Sequence, residues 1–200
     1  MSNVDLRKYV ETAMTYGEYV ALMDELLAKG MATGADQSED HVNYTKLNRQ
    51  RMSRIDKTVS VNNVTSDAVS AVERDQVWLI LTEGWCGDGA QNLPVVEKIA
   101  AENSKITTKY LLRDENSELM DAFLTAGARS IPKLIALDSD NHEVLFTWGP
   151  RPEPAVELFA RRKAEGVEKL DIIEELQRWY NDNAGKAVQA EFVELLSKLK

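Results

Sequence analysis

One cysteine, two histidines and five prolines are spread over 200 residues, and no long apolar run or basic tract joins them. A single cysteine cannot close an internal disulfide, which excludes a disulfide-stapled secreted scaffold, fits a reducing compartment and leaves one free thiol to explain. His41 and His142 lack metal-ligand spacing, so no metal is expected. No cofactor is expected either. A membrane-spanning helix needs about 18 or more apolar residues in a row, and none is present. The start, Met1-Ser2-Asn3-Val4-Asp5, has no basic stretch leading into an apolar core, so a secretory leader is not expected. The chain reads as a soluble, cytoplasmic protein with no membrane partner. With 24 Lys and Arg against 33 Asp and Glu, the net charge is -9. Such a surface repels a phosphate backbone, which argues against nucleic-acid binding. Repeats and low-complexity tracts are absent, and the oligomeric state is not encoded in any pattern.

What is present suffices for one packed core with helical attachments, since 44% of the residues are apolar. Tyr16, Tyr19, Val20, Met23, Leu26 and Leu27 recur at helical spacing before Gly30, a natural stop. A polar loop with His41 follows. A second helix is expected over 42–59, burying Tyr44, Leu47, Met52 and Ile55 and solvating Arg49, Arg51, Arg54 and Lys57. After Asn62-Asn63 a short helix over 66–74 leads into Val77-Trp78-Leu79-Ile80-Leu81, an unbroken apolar run of the kind found in a central strand covered on both faces. A helix over 88–102, a strand over 106–112, a helix over 117–125 and a hairpin of 133–137 with 143–148 follow. Helices over 153–164, 171–181 and 188–198 end the pattern. Strands alternating with helices and then a hairpin predict an α/β fold, a mixed β-sheet flanked by helices. The divisions are an N-terminal helical extension over 1–66, a core over 67–165 and a C-terminal helical extension over 166–200.

Cys86 lies in Trp85-Cys86-Gly87-Asp88-Gly89, between the apolar strand and a helix. That order puts the thiol at a helix N-terminus, where unpaired amides and the helix dipole favour a thiolate. Asp88 suits the same terminus but opposes a second negative charge beside it. A modestly lowered thiol pKa and a solvent-accessible sulfur are expected. A buried, inert cysteine is the alternative.

The chain resembles the thioredoxin family on four features in order. They are Trp85-Cys86-Gly87, Pro94 eight residues past the cysteine, Gly127-Ala128-Arg129-Ser130-Ile131-Pro132 followed by Lys133-Leu134-Ile135, and Gly149 after the hairpin. The resemblance covers about residues 68–165 and implies a thioredoxin fold with Cys86 as the nucleophile. It further implies a cis-proline at Pro132 opposite that thiol, a groove lined by Gly149, and backbone contacts to a partner segment from Ile131 and Gly87. Trp85 is either a packing residue or a ligand platform. The single-cysteine Trp-Cys-Gly-Asp site and Trp148-Gly149-Pro150-Arg151-Pro152 also resemble a less characterised bacterial branch.

Two departures limit what the resemblance implies. Gly89 stands where the family keeps its second, resolving cysteine, and Ile80, six positions before Cys86, stands where it keeps a buried aspartate. Ordinary dithiol reduction is therefore not expected. Two functions remain: a redox protein forming mixed disulfides with a protein or low-molecular-weight thiol and resolved by an external thiol, or a noncatalytic binding protein with an incidental thiol. Arg113-Asp114-Glu115 and Arg129 are secondary candidates near the site, and Trp78, Trp148 and Trp179 read as packing residues.

Overall fold

The apolar run in the middle of the sequence becomes the middle of a sheet. In the computed structural model, which describes residues 4–199, Gln76–Thr82 forms β1 and is buried along its whole length. It pairs in parallel with β2 (Ile106–Leu112) and antiparallel with β3 (Lys133–Asp138), which in turn carries β4 (Val144–Trp148). The order β2-β1-β3-β4 is a mixed four-stranded sheet. Helices cover both faces: α1 (Leu6–Thr12), α2 (Tyr16–Ala28), α3 (Glu39–Thr58), α4 (Asn63–Ser70), α5 (Gly87–Ala101), α6 (Ser117–Ala122), α7 (Glu153–Ala164), α8 (Lys169–Asn183) and α9 (Lys186–Ser197). None among the described residues is long and apolar enough to cross a membrane.

Strand alternation divides the core in two. Trp78, Ile80, Tyr110, Leu134 and Ala136 face Tyr19 and Met23 of α2, Met52 and Ile55 of α3, Leu93 and Val96 of α5, and Phe192 of α9. Val77, Leu79, Leu81, Leu111 and Ile135 face Tyr9 of α1 and Leu119 and Met120 of α6, and Cys86 and Ile131 belong to this second layer. Helices from before and after the sheet, α2, α3 and α9, thus share its first face, while α1 and α6 cover the second. The chain between α1 and α2 also shields the outer edge of β2, where Met14 and Tyr110 exchange both backbone hydrogen bonds at 2.9 and 2.7 Å. Leu158, Ile172, Leu176 and Tyr180 form a smaller cluster between α7 and α8.

Local signals set several boundaries. Thr15 and Glu18 form a capping box at the start of α2. Gly30, at φ +69°, ends that helix with amide bonds from Gly30 to Leu27 and from Met31 to Leu26. Other elements depart from the sequence pattern. Within the extension expected to be helical, Leu6–Thr12 forms a separate short helix whose ends the spacing does not mark, with Asp5 as its cap. Ser38 caps α3 early enough to place His41 in its first turn rather than in a loop. Asn62 caps α4, which runs three residues ahead of the expected start and stops at Ser70. Helix α3 is also rotated: Thr45, Asn48, Met52 and Ile55 are its buried residues, while Tyr44 and Leu47 are 44% and 42% exposed. The polar pair goes inward because the Asn48 amide donates to the Gly84 carbonyl at 3.0 Å and the Thr45 hydroxyl satisfies the His41 carbonyl. Helix α3 therefore reads the loop that carries the thiol.

Phe192 closes one face of the sheet, its ring centroid 5.0 Å from that of Trp78 and 5.6 Å from that of Trp148. Phe192→Ala should cost about 3–5 kcal/mol. The check is a urea titration, where the midpoint falls with the slope unchanged. A loss under about 1 kcal/mol would show that α9 is an appendage rather than part of the core.

Candidate functional site

Beyond β1, residues 83–86 lead into α5, and Cys86 is that helix's N-cap. Its sulfur accepts the Gly89 amide at 3.3 Å, while the thiol donates to the Ile131 carbonyl, also at 3.3 Å. Ile131 precedes Pro132 through a cis peptide bond, and Gly149–Pro150 is a second cis bond. At Gly149, φ is +106° and a Cβ would collide with the Pro132 carbonyl oxygen, so glycine is required on both counts. The structure thus brings Cys86 against Ile131, and Pro132 against Gly149.

The surroundings of the thiol differ from the expectation. Cys86 is 7% exposed, and its pKa is pushed up to about 12, first by burial and then by the charge of Asp88. The amides of Gly89 and Asp88 and the charge of Arg151 pull the other way without overcoming it. A sequence argument counts the donors at a helix N-terminus but has no access to how dry the sulfur is. The resting thiol is protonated at neutral pH.

Asp88 is tied to residues far along the chain. Arg151 places Nε at 2.8 Å and Nη2 at 2.7 Å from its Oδ2, and the Tyr180 hydroxyl donates to its Oδ1 at 2.9 Å. Asn92 donates to the Tyr180 oxygen at 3.2 Å, and Gln91 donates to the Gln177 carbonyl oxygen at 2.9 Å. The guanidinium of Arg151 also lies 4.7 Å from the Phe159 ring centroid. Through these contacts α8 is fastened to the first turns of α5. Burial, followed by the Asp88 charge, holds the Tyr180 phenol well above its usual range.

Trp85 packs on the other flank. Its ring stacks on His41 at 4.9 Å and lies 4.9 Å from the Arg113 guanidinium, which pairs with Asp114. Below it, Glu83 is buried: Oε1 accepts the Asp114 amide at 2.9 Å, Oε2 has no partner, and burial pushes its carboxyl upward. The Thr82 hydroxyl is also buried without a partner. It faces Gly89, where a Cβ would sit 2.8 Å from Thr82 Oγ1 and 3.6 Å from Cys86 Sγ. Ile80 lies in the opposite core layer.

Other sequence candidates fall outside the site. Arg129 is exposed and paired with Asp121 at 2.7 and 2.6 Å, and His142 sits in the turn between β3 and β4. Trp78 is core, and Trp148 donates to Glu191 at 2.6 Å. Arg51, read from the sequence as solvated, is half-buried beside the thiol loop because Asn48 holds its Nη1 at 2.9 Å. Arg151, Tyr180, Asn92, Asn48, Glu83 and Thr82 are site residues that sequence reasoning missed. Arg151 was visible inside Trp148-Gly149-Pro150-Arg151-Pro152, and Glu83 as a charge at the end of an apolar strand. The others carry no local signal.

A family model described as thioredoxin matches residues 34–165. No curated protein matches. Among solved structures, an HIV epitope-scaffold shares the fold at a TM-score of 0.65 and 14% identity, over 98% of this chain and 99% of that one. A protein of unknown function from Pseudomonas aeruginosa does so at a TM-score of 0.64 and 14% identity, with the same coverage. At that identity the likeness is one of fold.

Two outcomes follow from the electrostatics. Alkylation of Cys86 at pH 7 should be slower than that of a model thiol and should still be rising with pH at about 10. Asp88→Ala should shift the profile to lower pH by removing a negative charge and leaving Arg151 nearby, whereas Tyr180→Phe, which loosens α8 and keeps that charge, should not. Equal shifts in both variants would assign the effect to access rather than charge.

Glu83 has a folded pKa raised above its unfolded value, so the unfolded chain ionises first as pH rises and stability falls. The effect is absent below the unfolded carboxyl pKa of about 4.3 and grows as pH rises through the folded value. Glu83→Gln should therefore unfold at higher urea than the parent at pH 8 and show little difference near pH 4. A gap that is independent of pH would contradict the assignment.

Proposed function

The chain belongs to the thioredoxin family, and from that premise we propose that it is a cytoplasmic monothiol protein, forming mixed disulfides through Cys86 with a protein or low-molecular-weight partner. The observation that carries the reading is the seat of the sulfur, between the Gly89 amide at the start of α5 and the Ile131 carbonyl beside Pro132. In the exchange, the Cys86 thiolate attacks one sulfur of a disulfide. The S–S bond breaks, a new S–S bond to Cys86 forms, and the leaving thiolate takes the electron pair and then a proton equivalent to the one Cys86 lost. With Gly89 in place of a second thiol, the adduct persists until an external thiol attacks it. Ile131 and Gly87 offer backbone contacts for an extended partner segment, with Trp85 and Gly149 on the flanks.

Because the resting thiol is dry and protonated, exchange is slow until a docking partner changes its surroundings. That same observation favours a second reading, a noncatalytic thioredoxin-fold binding protein in which Cys86 is a packing residue.

Intact mass spectrometry after incubation with a disulfide tests the first reading. Wild type should stop at a single adduct that a small thiol reverses, with no turnover on its own. A Cβ at position 89 would lie 3.5 Å from the Cys86 Cβ, within disulfide range at about 3.5–4.5 Å, but Thr82 Oγ1 obstructs it. Gly89→Cys should form an internal disulfide poorly, and Gly89→Cys with Thr82→Ala readily. Absence of any adduct on the folded wild type would leave the binding-protein reading standing.

A further inference from the structure

Other arginines near the thiol are spoken for: Arg113 and Arg151 are each held by a carboxylate. Arg51 is different. It is half-buried, and the contact that holds it is with a neutral group, the Asn48 carbonyl oxygen. Burial and the neighbouring charge of Arg54 both work against its own charge, the situation an added anion relieves. Asn48 is itself buried and anchored to the Gly84 carbonyl, so the guanidinium is fixed to the loop that bears the thiol.

A second donor meets it at the same place. Gly87, the residue after Cys86, has no side chain, and a Cβ there would have Gln177 Nε2 at 3.5 Å and Arg51 Nη1 at 3.9 Å as its nearest neighbours. The Gln177 carbonyl oxygen is occupied by buried Gln91, which leaves the amide nitrogen as a donor on the Gly87 side. Two donors from different helices, each oriented by a buried amide, thus flank the partly exposed Gly87 next to the sulfur. Arg54 extends the positive edge along α3, bound by the neutral Asn181 side chain. In a chain of net charge -9, a cationic edge that reaches the thiol loop is a selective feature.

We propose that the face of Gly87 between Arg51 and Gln177 is a carboxylate-binding subsite, and that the exchange partner of Cys86 is an anionic disulfide whose carboxylate seats there. The inference rests on the mixed-disulfide reading for its substrate, while the anion site itself does not require the thiol to react. Arg51 binds the carboxylate through guanidinium hydrogen bonds, Gln177 adds a neutral donor, and seating the carboxylate brings the disulfide to the sulfur.

The test uses two disulfides of the same length, 3,3′-dithiodipropionate and its neutral diamide. With wild type, intact mass spectrometry should show the dicarboxylate adduct forming about tenfold faster than the diamide adduct, the size expected of one charge-assisted hydrogen-bonded contact. Arg51→Gln should bring that ratio close to one, and added salt should lower it in wild type. The diamide rate in each protein corrects for any loss of fold. In parallel, Cys86→Ser protein is titrated with both compounds while the Gly87 backbone amide and the Gln177 side-chain amide are followed by NMR. Dicarboxylate shifts that Arg51→Gln abolishes support the subsite even where no adduct forms, a result that would count against the exchange reading alone. A ratio of one in wild type, or one that Arg51→Gln leaves unchanged, together with no carboxylate preference in the titration, would overturn the inference.

Discussion

The carboxylate of Asp88 is shared between Arg151 and Tyr180 at the first turn of α5. On one side of this contact lies the thiol, and on the other lie the loop after β4 and the C-terminal helices. Asp88 and Arg151 are both largely shielded from water, so losing either of these two leaves an uncompensated charge, which typically costs about 3–5 kcal/mol. The pair is better understood as a positional constraint than as a source of net stability. It fixes where α8 lies, and α8 in turn brings Gln177 to Gly87. Asn92 and Gln91 complete the attachment from within α5 itself.

The state of Cys86 is decided by a competition of unequal size. A helix terminus is worth up to about 2 kcal/mol to an anion in a favourable, partly buried geometry, roughly 1.5 pKa units. Full burial can shift an ionisable group by as much as about 3–5 units in the opposite sense. With Asp88 adding its own negative charge, the dry environment prevails, and the thiol rests as a donor to Ile131. The orientation of the group and its ionisation are thus separately controlled. Capping geometry sets the first, and the packing of distant helices sets the second.

Much of what depended on periodicity and short spacing was legible in the sequence. The apolar run became β1, the strand over 106–112 and the helix over 153–164 emerged with their expected ends, and Gly30 stopped α2. The short segment around Cys86 and the loop at Pro132 could be placed because each lies within a few residues of a strand end. What escaped was set by contacts over long sequence separations. Tyr180 meets Asp88 from 92 residues further along the chain, and Asn48 turns inward because a carbonyl on another element needs its amide. Polar residues such as Thr45 and Asn48 read as surface by composition, so the face assigned to α3 was rotated toward Tyr44 and Leu47. The thiol's protonation followed the same logic, since burial is a property of neighbours that a local pattern does not name.

The sharing of one core by helices from both ends of the sheet bears on how the protein is made. A ribosome releases β1, β2, β3 and β4 before α9 exists, so Trp78, Phe146 and Trp148 wait without Phe192 to cover them. Until α9 emerges, the nascent chain presents a paired sheet with an incompletely covered aromatic face, the kind of surface that chaperones bind and that promotes association between chains. The interval between completion of β4 and arrival of α9 is therefore the stage of synthesis at which this chain has most apolar surface to protect.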